Sequence, residues 1–353
     1  MKAFCQNLLF MLSLSLTSFS YGAPSDAQYK ALSQRLSRQA LVSYRDFLQT
    51  TEELHRTSQS FCESPSAERL QEVKAKYQNS HNSWMAIEYI QFGPVADKLR
   101  NFRIYFWPDK RNILGRQLAP FLAKQDGAAL SAKNFTTSTV ALQGLSALER
   151  LLYSTKYTPR FLAKSQESKF QCAYLQAITN NLETIAREIT EAWPAYSLKM
   201  ANNPPKEQAA YWFQSLYDQA RKIHDKKISI PFKNPNPVVS GRKLEAWRSQ
   251  QTRMLLITNL KAIKSAYLSP DSFAKRVQTT SPKDHKTLLV TLDQMVLSLR
   301  NIKGPMKEAL QDQSQLNDLA SLEADSALLV KWITGPLSTI WGIPVGFNSA
   351  DGD

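Results

Sequence analysis

Apolar residues recur at three- and four-residue spacing through nearly the whole chain, and alternating apolar–polar stretches are absent. That pattern builds helices and leaves no material for a sheet, so the expected fold is all-α. Proline and glycine divide it. A first helix is expected from near Asp26 to Glu63-Ser-Pro-Ser66, with Ser64 and Pro65 as N-cap and first-turn residues of the second. Phe92-Gly-Pro94 ends that second helix, and an aromatic connector, Phe102-Arg-Ile-Tyr-Phe-Trp-Pro-Asp109, follows. An apolar helix over Val140–Tyr153 comes next, then a long one from about Ser165 to Ala201 in which Pro194 is expected to cause a kink. The consecutive prolines of Asn202-Asn-Pro-Pro205 mark the cleanest boundary. Four more helical runs follow it, at about 206–228, 243–268, 283–303 and 315–341. Four principal helices on each side of residue 203 point to two tandem four-helix-bundle-like domains, 23–202 and 203–353.

The first 22 residues read as a secretory signal. Lys2 is the positive region, Leu8–Ser18 the apolar core, and Ser20-Tyr-Gly22 places small residues before a cut ahead of Ala23. A transmembrane anchor needs roughly 20 apolar residues, and this core is shorter. The expected product is therefore secreted across the inner membrane to the periplasm or cell envelope, with no transmembrane anchor. Cys62 and Cys172 are then the only cysteines. An oxidising compartment favours one disulfide between them, and two buried thiols are the alternative. The formal charge is +14, and removing Lys2 leaves +13. Such a surplus favours acidic envelope polymers or small anionic ligands as partners, while export argues against nucleic acid. The densest basic pairs are Lys110-Arg111 and Lys226-Lys227, whose plain reading is solvated surface.

Within Val140-Ala-Leu-Gln-Gly-Leu-Ser-Ala-Leu-Glu-Arg-Leu-Leu-Tyr153, Gly144 precedes the acid Glu149 by five residues. This segment resembles the signature of the imelysin family, whose metal-site motif reads Gly-x-His-x-x-Glu. Gly144 and Glu149 match it, and Ser146 stands in the histidine's place. Trp84-Met-Ala-Ile-Glu-Tyr-Ile-Gln-Phe-Gly-Pro94, Arg103–Asp109, Ser240–Thr252 and Gly346–Asp353 resemble further family segments in the expected order. The resemblance implies two helical bundles on an exported envelope protein. Family members include insulin-cleaving metallopeptidases, iron-regulated proteins and a periplasmic component of ferrous-iron uptake. The expectation is a metal- or iron-binding component linked to iron acquisition. The alternatives are a metallopeptidase and a non-catalytic envelope scaffold.

Ser146 weakens the peptidase reading, because a neutral hydroxyl is a poor ligand for iron or zinc. None of the four histidines forms His-Glu-x-x-His. A metal set would have to combine Glu149 with Ser146, Glu88, His81 or Asp109. The alternative is a half-buried Glu149 paired with an arginine such as Arg103 or Arg242. Two arginine–aromatic groups offer a ligand pocket: Trp84, Arg103, Tyr105 and Trp107, and then Arg242, Glu245, Trp247 and Arg248. Such groups hold planar or anionic ligands, and they also serve as inter-domain packing with buried ion pairs. The tail acids Asp351 and Asp353, with Asn348, are candidates to fold back onto that interface. Ser146 lacks a Gly-x-Ser-x-Gly elbow, so it is expected to bond its own helix backbone and not to act as a nucleophile.

Overall fold

A computed structural model describes residues 22–233 and 241–346. The expected signal-sequence core, the proline-rich stretch at 234–240 and the tail residues Asn348, Asp351 and Asp353 lie outside the described residues. Every regular element among the described residues is helical. Helix α1 (Asp26–Glu63) opens with a capping box in which Ser25 and Gln28 bond each other's backbone N–H. Its 38 residues make it about 57 Å long. Helix α2 (Ala67–Ile87) is capped by Ser66, whose hydroxyl accepts from Arg69 N. Ser66 therefore takes the role expected of Ser64, and Pro65 lies before the helix.

After α2 the chain passes through short turns and α3 (Ile113–Lys124) to α4 (Gly144–Tyr153). Helix α5 (Gln166–Met200) runs on through Pro194 as one element. Pro205 then starts α6 (Pro205–Arg221), where its missing N–H costs no hydrogen bond. A π-helical segment, Lys222–Ser229, prolongs α6. Helices α7 (Thr252–Leu268), α8 (Phe273–Thr280), α9 (Pro282–Asn301) and α10 (Leu316–Trp332) complete the order, α10 continuing to Trp341 through a second π segment.

Helix α1 lies along α2, α5 and α6, while α2 also packs on α7, and α9 packs between α7 and α10. Buried apolar side chains from all of these helices form one continuous cluster. Both ends of α1 are pinned. Near its start the Tyr29 hydroxyl donates to the Trp341 carbonyl at 2.7 Å. At its end Cys62 is disulfide-bonded to Cys172 on α5, with Cα atoms 5.6 Å apart. No helix among the described residues is long and apolar enough to cross a membrane.

Candidate functional site

Helix α4 enters the core in an unusual way. Gly144 has φ +73°, and a Cβ there would collide with the carbonyls of Arg103 and Ile104. Only glycine lets the start of α4 press against the connector. The break puts Ser146 in the first turn of α4 rather than mid-helix. Its hydroxyl donates to the Phe106 carbonyl at 3.0 Å, so it ties the helix to the connector and not to its own backbone.

One turn later Glu149 is 8 % exposed. Its Oε1 accepts from Arg248 N (3.0 Å), Ser249 N (2.9 Å) and Ser249 Oγ (3.0 Å). Burial raises its carboxyl above the usual range, against the lowering effect of these donors and of Arg248. The partner is thus a backbone turn, in place of the expected Arg103 or Arg242 guanidinium. Residues 244–250, expected to be helical, form that turn, with Ala246 (φ +48°) and Gln250 (φ +58°) in left-handed conformations. Each such residue costs about 1 kcal/mol or more, so the turn persists because its surroundings hold it.

Around Ser146 and Glu149 opens a cleft of about 980 Å³. Tyr105, Phe106 and Trp107 form one wall, and Ala246, Trp247 and Arg248 another. The connector side contributes Lys110, Arg111 and Arg150, and the facing side Lys226, Arg242, Lys243 and Arg248. Asp109 and Glu149 are the only acids in the lining among the described residues. Asp109 is committed: its two oxygens accept from Ile113 N (2.6 Å) and Leu114 N (3.0 Å) at the start of α3. Arg248 lies over the Trp247 ring, 4.1 Å from its centroid, with Lys307 at 5.3 Å. Burial, and then repulsion from Arg150, holds the Arg248 guanidinium down to about 10.

Behind the Tyr105–Trp107 wall lies a buried ion cluster. Glu88 accepts from Lys222 (2.6 Å) and Lys227 (2.7 Å), and also from Gln219 and Asn259. Lys222 and Lys227 are five residues apart, about 140° around an α-helix, and would then face different ways. The π-helical i→i+5 repeat brings both onto one carboxylate. Burial alone would raise Glu88, but the two ammonium groups hold it well below the usual range. Lys227 also pairs with Glu245 at 2.9 Å. Burial raises the Glu245 carboxyl, and Lys227 only partly offsets it. His81 is buried beside Tyr105 (ring centroids 4.6 Å apart), its Nδ1 3.0 Å from the Tyr77 hydroxyl. Its Nε2 has no partner among the described residues.

Several sequence candidates therefore converge: Ser146, Glu149, Tyr105, Trp107, Asp109, Arg242, Trp247 and Arg248 all line the cleft. Three pocket candidates do not. Trp84 packs on Phe47 in the core, Arg103 donates to Gln143 and Asn181, and Glu245 turns inward to Lys227. The sequence reading missed Arg150, Lys226 and Lys243, and took Lys110-Arg111 and Lys226-Lys227 for solvated surface. The position of Lys110-Arg111 directly after the aromatic connector was the available signal.

The residues present do not fit a resident iron or zinc ion. Glu149 Oε1 is saturated by three donors, Ser146 donates to a carbonyl, Asp109 caps α3, and Glu88 is held by two lysines. Among the described residues no three His, Cys, Asp or Glu side chains are grouped to hold a metal ion.

The imelysin model, peptidase family M75, matches residues 40–329. A search of the curated proteins finds no match. An imelysin-like protein from Psychrobacter arcticum 273-4 shares the fold, with TM-score 0.78 and 21% identity over 92% of this chain and 98% of that one. A protein named as a candidate iron-regulated protein A precursor from Parabacteroides distasonis ATCC 8503 also shares it, with TM-score 0.76 and 17% identity over 91% and 97% of the two chains. The family match covers well over half of the sequence, and the chain belongs to the imelysin family.

Proposed function

We propose that this is an exported imelysin-type binding protein of the periplasm or envelope, and that it serves iron or other metal acquisition. It holds a ligand in the cleft over Ser146 and Glu149 and does not cleave peptides. One observation carries this reading: the family-motif residues and both connector segments meet in one roomy cleft whose acids are committed to backbone N–H groups. A zinc peptidase needs several converging ligands and a base to activate water, whereas among the described residues this lining groups no three ligand-type side chains. The secretory signal, the +13 surplus of the mature chain and the fold shared with a protein named for iron regulation support the setting. In this reading residues 23–202 and 203–353 are two bundle units, with the cleft on their seam.

Growth under iron limitation tests it. A strain lacking the protein grows poorly, and the wild-type chain restores growth while an Arg242→Glu/Lys243→Glu variant does not. Equal growth of all strains, or chelator-sensitive cleavage of an unfolded protein substrate by the purified chain, contradicts the proposal.

A further inference from the structure

The charge of the cleft argues against a bare cation. Among the described residues seven basic side chains line it against two acids, and both acids already accept from backbone donors. Lys110, Arg111, Lys226, Arg242 and Lys243 have no ion-pair partner among the described residues. Arg150 and Arg242 each repel the Arg248 guanidinium, against the attraction of Glu149 and Asp109. A surplus of like charges over their counter-charges forms a field that an anion stabilises and a metal ion does not.

The shape narrows the anion. About 980 Å³ is the room of a small organic ligand and far exceeds one inorganic oxyanion. The basic groups reach the cleft from separate segments, 110–111, 150 and 242–243, which suits a ligand carrying charges at several points. Arginine forks match carboxylates in two-point contact. Glu149 Oε2 has no hydrogen-bond partner among the described residues and can accept from a ligand hydroxyl. Trp247 is already covered by Arg248 and Lys307, so recognition rests on charge more than on ring stacking.

We infer that the cleft binds a small organic polyanion with two or more carboxylates, free or as the shell of a ferric ion, where the family motif would hold a metal. This rests on the reading of the cleft as the ligand site.

The test is calorimetric titration of the mature chain with citrate, ferric citrate, inorganic phosphate and zinc chloride, each separately. Citrate or its ferric complex is expected to bind once per chain, and which of the two binds tighter identifies the source. Affinity falls about a hundredfold in Arg242→Gln/Lys243→Gln, roughly tenfold per lost charge contact. Both residues are exposed, so the fold is retained. Arg150→Gln, measured separately, gives a drop of about tenfold. Phosphate binding as tightly as citrate, or zinc binding alone while citrate fails, overturns the inference. If that happens while cleft variants still fail to support iron-limited growth, the polyanion is wrong and the binding function stands. If growth is indifferent as well, both fall.

Discussion

Gly144 and His81 carry constraints that a single substitution can expose. At φ +73°, with two backbone carbonyls where a Cβ would stand, Gly144 admits no side chain without moving α4 or the connector. Gly144→Ala is expected to lower stability by at least about 2 kcal/mol in urea denaturation. A change below about 0.5 kcal/mol would show that the connector can yield. His81 is held down to about 3, first by burial and then by the Lys227 ammonium. The unfolded chain takes up that proton near 6.5. Native stability therefore falls as the pH drops below about 6.5, and this group stops contributing to the loss only near 3. One proton corresponds to about 1.4 kcal/mol per pH unit. Between about pH 6 and 5 the wild type should lose about 1 kcal/mol more than His81→Phe; equal losses would mean that the imidazole protonates in the native state.

The elements differ in how well the sequence announces them. Helices α1, α2, α5 and α9 were legible because a repeated apolar face and capping or proline signals agree. The start of α7 was not. Gly241-Arg-Lys-Leu-Glu-Ala-Trp-Arg-Ser-Gln-Gln251 has helical composition, yet Glu149 and Lys227 pin it from two sides and override local propensity. The π segment Lys222–Ser229 was equally hidden, since a search for a period near 3.6 passes over an i→i+5 repeat. Of the site, the aromatic and arginine groups of the connectors could be seen. Arg103 could not be told from Arg248 before its partners Gln143 and Asn181 were placed. The π segment has its own test. Lys227→Met removes the ion-pair partner of buried Glu245 and one of the two ammonium groups on Glu88, which should cost about 3–5 kcal/mol. Adding Glu245→Gln should recover part of that, because Glu88 keeps Lys222. A single variant within about 1 kcal/mol of wild type would mean that water reaches the cluster.

At the scale of the molecule, α1 is the spine, fixed at one end by Cys62–Cys172 and at the other through Tyr29 to the last helix. The bridge closes a loop of 110 residues. Replacing both cysteines by serine should cost about 2–5 kcal/mol, read as a lower denaturation midpoint with an unchanged helical spectrum. An unchanged midpoint would show that the unfolded chain is already constrained. The central claim is that the motif glutamate, from the part of the chain before residue 203, now fixes a cleft-lining turn from the part after it. A glutamine at this position keeps an acceptor for Arg248 N and Ser249 N, whereas an alanine does not. The direct measurement is citrate affinity by calorimetry in Glu149→Gln and Glu149→Ala. Gln is expected to stay within about threefold of wild type, and Ala to weaken binding at least about tenfold. Equal loss in both, accompanied by loss of metal binding, would contradict it and return Glu149 to the role of a metal ligand.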